Sequence, residues 1–133
     1  MRIVLAALLV VPGCLLADGG DDYPDDTSVV LVTDACPGPQ AIVESVTYEG
    51  TDMTVVASYG GCGATRLWAC WDGRYATSDP AQTRIDIHHE PAGNCDALLT
   101  SQLTFSLVPM VDGVGPLQRV RITVGGIPVD WQR

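Results

Sequence analysis

The chain contains no lysine, so its seven cationic side chains are all arginine, and they face sixteen aspartates and glutamates for a net charge of −9. A balance of that sign argues against nucleic acid as a partner, because phosphates demand clustered Lys and Arg. It also argues against docking on an anionic membrane by charge. There is one phenylalanine in 133 residues, so a core must be assembled from smaller apolar side chains and gains much from covalent staples. No C-x-x-C, Walker A, G-x-G-x-x-G or G-x-S-x-G motif occurs, which removes the usual sequence pointers to a redox pair, a phosphate cradle or a nucleophile elbow. No apolar run approaches the ~20 residues of a membrane-spanning helix, and no stretch carries convincing helical periodicity.

What is present is cysteine, five of them, an odd number. Cys14 stands apart from Cys36, Cys62, Cys70 and Cys95, and setting it aside leaves an even set suited to two disulfides in an oxidising compartment. Residues 1–13 read as a signal peptide: Arg2 gives a short positive region, and IVLAALLVV (3–11) is apolar but too short to span a bilayer. The run ends in Val11-Pro12-Gly13-Cys14. This resembles the bacterial lipobox, with an aliphatic residue at −3 and a small one at −1, although proline at −2 is unusual. The resemblance implies that Cys14 receives lipid and becomes the first residue of the mature chain. It implies a partner, the lipid membrane held through acylated Cys14, and a location in the bacterial cell envelope, lipid-anchored in the outer membrane on its periplasmic or surface face. Several acyl chains on one residue satisfy the two-signal requirement for stable anchoring.

Residues 14–26 then form the lipidated cysteine and an acidic tether, LLADGGDDYPDD, whose aspartates and glycines bury nothing and predict a solvated, disordered spacer. Its reach is at most ~40 Å at about 3.3 Å per residue. The spacing of its acids does not match a calcium loop.

From residue 27 to 133 the hydrophobic period is two. TSVVLVT (27–33), AIVESVTY (41–48), MTVVASY (53–59), RLWACW (66–71), RIDIHH (84–89), LTFSLV (103–108), VRITV (120–124) and IPVDW (127–131) read as strands. Turn clusters such as Glu49-Gly50-Thr51-Asp52 separate them. Met53, Val55, Ala57 and Tyr59 share one face, as do Leu103, Phe105 and Leu107, and Val120, Ile122 and Val124. Ala97–Gln102 is expected to form a turn at most. The predicted architecture is an all-β antiparallel sandwich of seven to eight strands with two disulfides, with a small β-barrel as the alternative.

Two stretches carry a second resemblance: SYGGCGATRLWACW (58–71) and HHEPAGNCDALLTSQLTFSLVP (88–109). A strand ending in Gly60-Gly61-Cys62, then Cys95 with Ala97 and Leu98 leading into Phe105, Leu107 and Pro109, is similar to the NigD-like lipoproteins. The similarity covers about residues 46–110. It departs from the family pattern at Ala64-Thr65-Arg66, where a histidine is favoured. The resemblance implies a lipoprotein with a β-sandwich, and it implies that Cys62 pairs with Cys95, leaving Cys36 with Cys70. Spacing alone leaves all three pairings open. The family has no settled activity, so nothing catalytic follows from it.

Gly60, Gly61 and Gly63 are expected to supply positive φ at a sharp strand exit. Trp68 is expected in the core against a disulfide, with Trp71 on the opposite, partly exposed face. The two histidines, His88 and His89, are the weak candidates for a metal site, with Glu90 and Cys95 near in sequence. As neighbours in a strand they point to opposite faces and chelate one ion poorly, and a disulfide at Cys95 removes the thiolate. Ser58, Ser78, Ser101 and Ser106 lack any nucleophile context, and no carboxylate pair stands out. No metal, no cofactor and no catalytic residue is therefore expected. The leading reading is a noncatalytic binding or structural module of the envelope with an unidentified protein or envelope partner. The alternatives are an immunity or inhibitor protein against a secreted toxin or hydrolase, and, weakest, a small hydrolase or metalloprotein.

Overall fold

The computed structural model describes residues 23–112 and 119–132; the lipobox segment and Cys14 lie outside these. The described chain forms β1 (Leu31–Val32), β2 (Ile42–Glu49), β3 (Asp52–Gly61), β4 (Leu67–Trp71), β5 (Ala81–His89), β6 (Ala97–Ser106), a single helical turn α1 (Val108–Val111), β7 (Arg119–Val124) and β8 (Ile127–Gln132). They make two sheets, β1-β4-β5-β7-β8 and β2-β3-β6. Neither closes on itself, so the fold is an all-β sandwich and not a barrel. The smaller sheet is antiparallel throughout. The larger is mixed, because β1 runs parallel to β4 and β5 runs parallel to β7.

The period-two pattern explains the layering. Met53, Val55, Ala57 and Tyr59 from β3, with Leu103 and Phe105 from β6, meet Leu67, Ala69, Trp71, Ile85, Ile87, Val120, Ile122, Val124 and Trp131 from the other sheet in one core. Each large side chain removed from water contributes about 1.5–3 kcal/mol. Leu107, Met110 and Val111 around α1 cap its end. Ala97–Gln102, read from sequence as a turn, is instead the first half of β6, paired with Val56–Gly61 of β3. Leu98 and Leu99 fit a strand whose register is dictated by its partner rather than by its own alternation. Conversely, TSVVLVT is mostly not ladder: only Leu31 and Val32 pair as a strand, while Val29 and Val30 step across to Ser106 of β6.

The chain changes sheets at residues 39–41. Ala41 donates its N–H to the Ile87 carbonyl and Pro39 accepts from His89, after which Ile42 begins pairing with β3. The disulfides Cys36–Cys70 and Cys62–Cys95 each serve a different sheet. The first ties the segment ahead of β2 to β4, and the second joins the exit of β3 to the entry of β6. Gly60, Gly61 and Gly63 do not adopt positive φ. Gly61 is needed for a different reason, since a Cβ there would collide with Ala92. At Gly125 both demands coincide: φ is +53° and a side chain would strike Val43 of the facing sheet.

Candidate functional site

The larger sheet turns Gln82, Arg84, Asp86 and His88 of β5 outward, because Ile85, Ile87 and His89 are drawn into the core. Beyond β4, Asp72 accepts from the Arg74 backbone N–H (3.0 Å), which folds the chain back and brings Tyr75 against Trp71 edge to face, with ring centroids 5.3 Å apart. Gln40, Asp72, Arg74, Tyr75 and Asp86 line an open groove of about 520 Å³ with Gln82, Thr83, Arg84 and Thr123, and Gly125 and Gly126 complete its wall. A smaller extension of about 430 Å³ runs past Asp72 and Asp86 to the Cys36–Cys70 bridge.

Charges in the groove are paired by sign but not exhausted. Arg84 Nη2 lies 3.0 Å from Asp86 Oδ1, and that hydrogen bond, followed by the attraction of Asp86 and Asp72, raises the guanidinium pKa further. Arg74 makes no ion pair among the described residues. Tyr75 gives its hydroxyl proton to the Met110 carbonyl (2.7 Å), and burial pushes its pKa up to about 12. The groove thus offers two guanidinium groups, two carboxylates, two amides and hydroxyls around an aromatic wall. This set can hold a polar ligand by many directional bonds. It contains no nucleophile beside a base.

Beside the groove, Trp68 and Arg66 hold the end of the acidic segment. Tyr23 stacks on Trp68 (5.0 Å, 17°), the indole N–H donates to the Pro24 carbonyl at 2.9 Å, and Arg66 bridges Asp25 (2.7 Å) and Glu90 (3.0 Å). The spacer is expected to be solvated through Asp26; Tyr23, Pro24 and Asp25 instead lie on the sandwich. The stack gives about 0.5–1.5 kcal/mol and the hydrogen bond about 1 kcal/mol, while ordering costs about 1–2 kcal/mol per residue, so this docking is finely balanced. Trp68 is fully buried, but on the outer face under this strap. Trp71, expected partly exposed, lies in the core with Trp131, and its indole N–H donates to Thr83 Oγ1 (2.7 Å).

The histidines are not brought together. His88 on the outer face sets Nδ1 2.7 Å from the Gly38 carbonyl, while His89 is buried and stacks on Tyr59 with centroids 4.9 Å apart. Among the described residues no three His, Cys, Asp or Glu side chains cluster as metal ligands. Cys95 is bridged to Cys62. Within the smaller sheet, Ser58 is buried and hydrogen-bonds Glu44 and Thr100 on the flanking strands, with no histidine hydrogen-bonded to them. Sequence reasoning did not single out the groove residues Arg74, Tyr75, Arg84 and Asp86. Only the outward alternation of RIDIH hinted at them, and Arg74 and Tyr75 arrive through a turn.

At the other end of the sandwich, Cys62–Cys95 pins two exposed loops together. The Cys62 N–H reaches the Ala92 carbonyl (2.6 Å), and Gly93, at φ +87°, passes so close that a Cβ would sit 2.8 Å from Cys62 Sγ.

An all-β sandwich with two disulfides belongs to an oxidising, extracytoplasmic setting, and among the described residues no helix is long and apolar enough to cross a membrane. The fold is similar to the crystal structure of a DUF1344 protein of unknown function from Bacteroides vulgatus ATCC 8482. The TM-score is 0.50 at 9% identity, over 80% of this chain and 55% of that one. The chain therefore spans a little over half of that protein's length, and the likeness concerns fold alone. No family model matches the chain, and no curated protein matches it.

Proposed function

We propose that the protein is a noncatalytic binding module of the bacterial cell envelope, anchored through lipid on Cys14, which takes a polar partner or ligand in the groove on its larger sheet. The observation carrying this reading is the groove itself. Arg74, Arg84, Asp72 and Asp86 converge there with amides and hydroxyls on a rigid sheet, and no acid–base or nucleophile pair accompanies them. The oxidised cysteines and the resemblance of Val11–Cys14 to a lipobox support the envelope location, for which the outer membrane is the proposed site. The partial likeness to NigD-like lipoproteins is compatible with it and adds no activity.

A photo-crosslinking side chain at Thr123 in the groove, compared with one at the exposed Thr47 on the other sheet, tests this in the intact envelope. Adducts from position 123 that disappear in Arg74→Ala/Arg84→Ala are expected. Absence of adducts, or equal adducts from both positions, rules the groove out. Cys14→Ala is expected to abolish incorporation of labelled fatty acid, and unchanged labelling removes the anchor. The disulfide-pinned loop pair at Cys62 and Cys95 favours the second reading, an inhibitor or immunity protein, because a rigid exposed tip suits insertion into an active cleft. That reading predicts adducts from Asn94 and none from Thr123.

A further inference from the structure

We propose that the open edge of β6 is the docking strand for a second copy of this chain, pairing antiparallel over Leu98–Thr104 about a twofold axis at Ser101. β6 is the outer strand of the smaller sheet. Its pairing with β3 runs unshifted from Ala97 to Ser106, so no bulge bends the edge away. The strand ALLTSQLTFS carries neither charge nor proline, the usual devices that stop an edge from templating another strand. In a chain of net charge −9, this seam lets two copies meet with no like charges facing one another.

The hydrogen-bond pattern sets the register. Ser106 donates its N–H to the Ser28 carbonyl and accepts from the Val30 N–H, so its backbone groups point away from β3. That direction recurs at every second residue of a strand. Leu98, Thr100, Gln102 and Thr104 therefore turn their N–H and C=O groups to the open side, and among the described residues no other segment pairs with them. Residues 28–30 block the edge at Ser106, and the Cys62–Cys95 bridge precedes its start.

A twofold at the centre of this window sets Leu98 opposite Thr104 of the second copy and Thr100 opposite its Gln102. Those pairs exchange about eight N–H···O bonds. Between them Ser101 faces itself and Leu99 faces Leu103. Leu103 is buried and Leu99 packs on the core, so the twofold carries the apolar layer of one copy into that of the other. Leu98, 71% exposed, gains the Thr104 methyl as a neighbour. The twofold repeats every contact, Leu98 on Thr104 and Thr104 on Leu98, as an isologous interface requires, and an uncharged strand in a chain of net charge −9 is the reason a second copy is the occupant.

Amide hydrogen exchange on the full chain over a concentration series tests the proposal. The amides of Leu98, Thr100, Gln102 and Thr104 should slow by about tenfold or more as concentration rises, while Leu99, Ser101 and Leu103, which face β3, stay protected throughout. Gln102→Pro removes an outward donor without touching the β3 ladder and should abolish the slowing at the other three; Gln102→Ala should retain it. If the proline variant loses protection at Leu99 and Ser101, Gln102→Lys replaces it, with two ammonium groups brought to the seam. Concentration-independent exchange, protection already present at the lowest concentration, or slowing that survives both Gln102→Pro and Gln102→Lys would each overturn the proposal. Slowing produced only by added envelope proteins would also overturn it, and would give the edge to a foreign strand.

Discussion

On the outer face of the larger sheet, Arg84 and Arg121 sit among Asp86 and Asp130, whereas the outer face of the smaller sheet sets Thr47, Thr54 and Thr104 side by side. All five arginines among the described residues belong to the larger sheet or its flanking turns; none belongs to the smaller one. Both sheets obey the same inward alternation and share one core, so the pattern that makes a sheet leaves its exposed chemistry free. The concavity over the β2–β3 hairpin is larger than the groove, about 840 Å³, yet its charged lining is Glu49 and Asp52 alone. One face has directional groups of both signs for a ligand. The other carries acidic charge only, at Glu44, Glu49 and Asp52, and its uncharged edge strand β6 is open.

The strongest way to break this comparison is through the core the two sheets share. Phe105→Ala in the smaller sheet should cost about 3–5 kcal/mol, and denaturant unfolding should remain a single transition at a lower midpoint. Two transitions would mean that the sheets are independent units. The disulfides come next, because each serves one sheet. Replacing Cys36 and Cys70, or Cys62 and Cys95, by alanine opens loops of 34 or 33 residues, worth roughly 3–4 kcal/mol each in the chain-entropy model. Unequal losses in matched unfolding curves would show that one bridge also acts on the native state.

The smallest effects are pH effects, and both lie in the larger sheet. Tyr75 has its pKa raised by burial from 10.0 to about 12. The unfolded chain therefore loses this proton first, and stability that is complete below pH 10 declines as pH climbs toward 12. Asp130 is lowered below its ordinary value of 3.8 by its hydrogen bond to Arg121. Its contribution is complete above that value and fades as pH falls through the depressed pKa. A tyrosinate titration should show Tyr75 ionising late, and Arg121→Ala should raise the Asp130 pKa in an NMR titration while leaving Tyr75 unchanged.

The inward faces were readable because burial enforces alternation. Met53 to Tyr59, Leu103 to Leu107 and Val120 to Val124 each give every second side chain to the core. Ala97–Gln102 was not readable, since ALLTSQ alternates poorly; β3 imposes its strand state through ten consecutive register partners. The tryptophans were exchanged for a related reason. Alternation separates Trp68 from Trp71 but does not say which face is inside, and that was decided by Leu67 and Ala69 siding with Trp71. The groove was hidden because Arg74 and Tyr75 reach it through a turn at Asp72, a matter of tertiary direction.

Composition and period alone determined an acidic β-protein with an even set of cysteines behind a lone one, because charge count, alternation and redox chemistry are local properties of the chain. Which sheet would carry the cations, where Tyr23 would come to rest and which edge would stay open were decided only in three dimensions. Those outcomes depend on how strands distant in sequence are ordered, and in a sandwich that order follows from fitting one shared core between two twisted sheets.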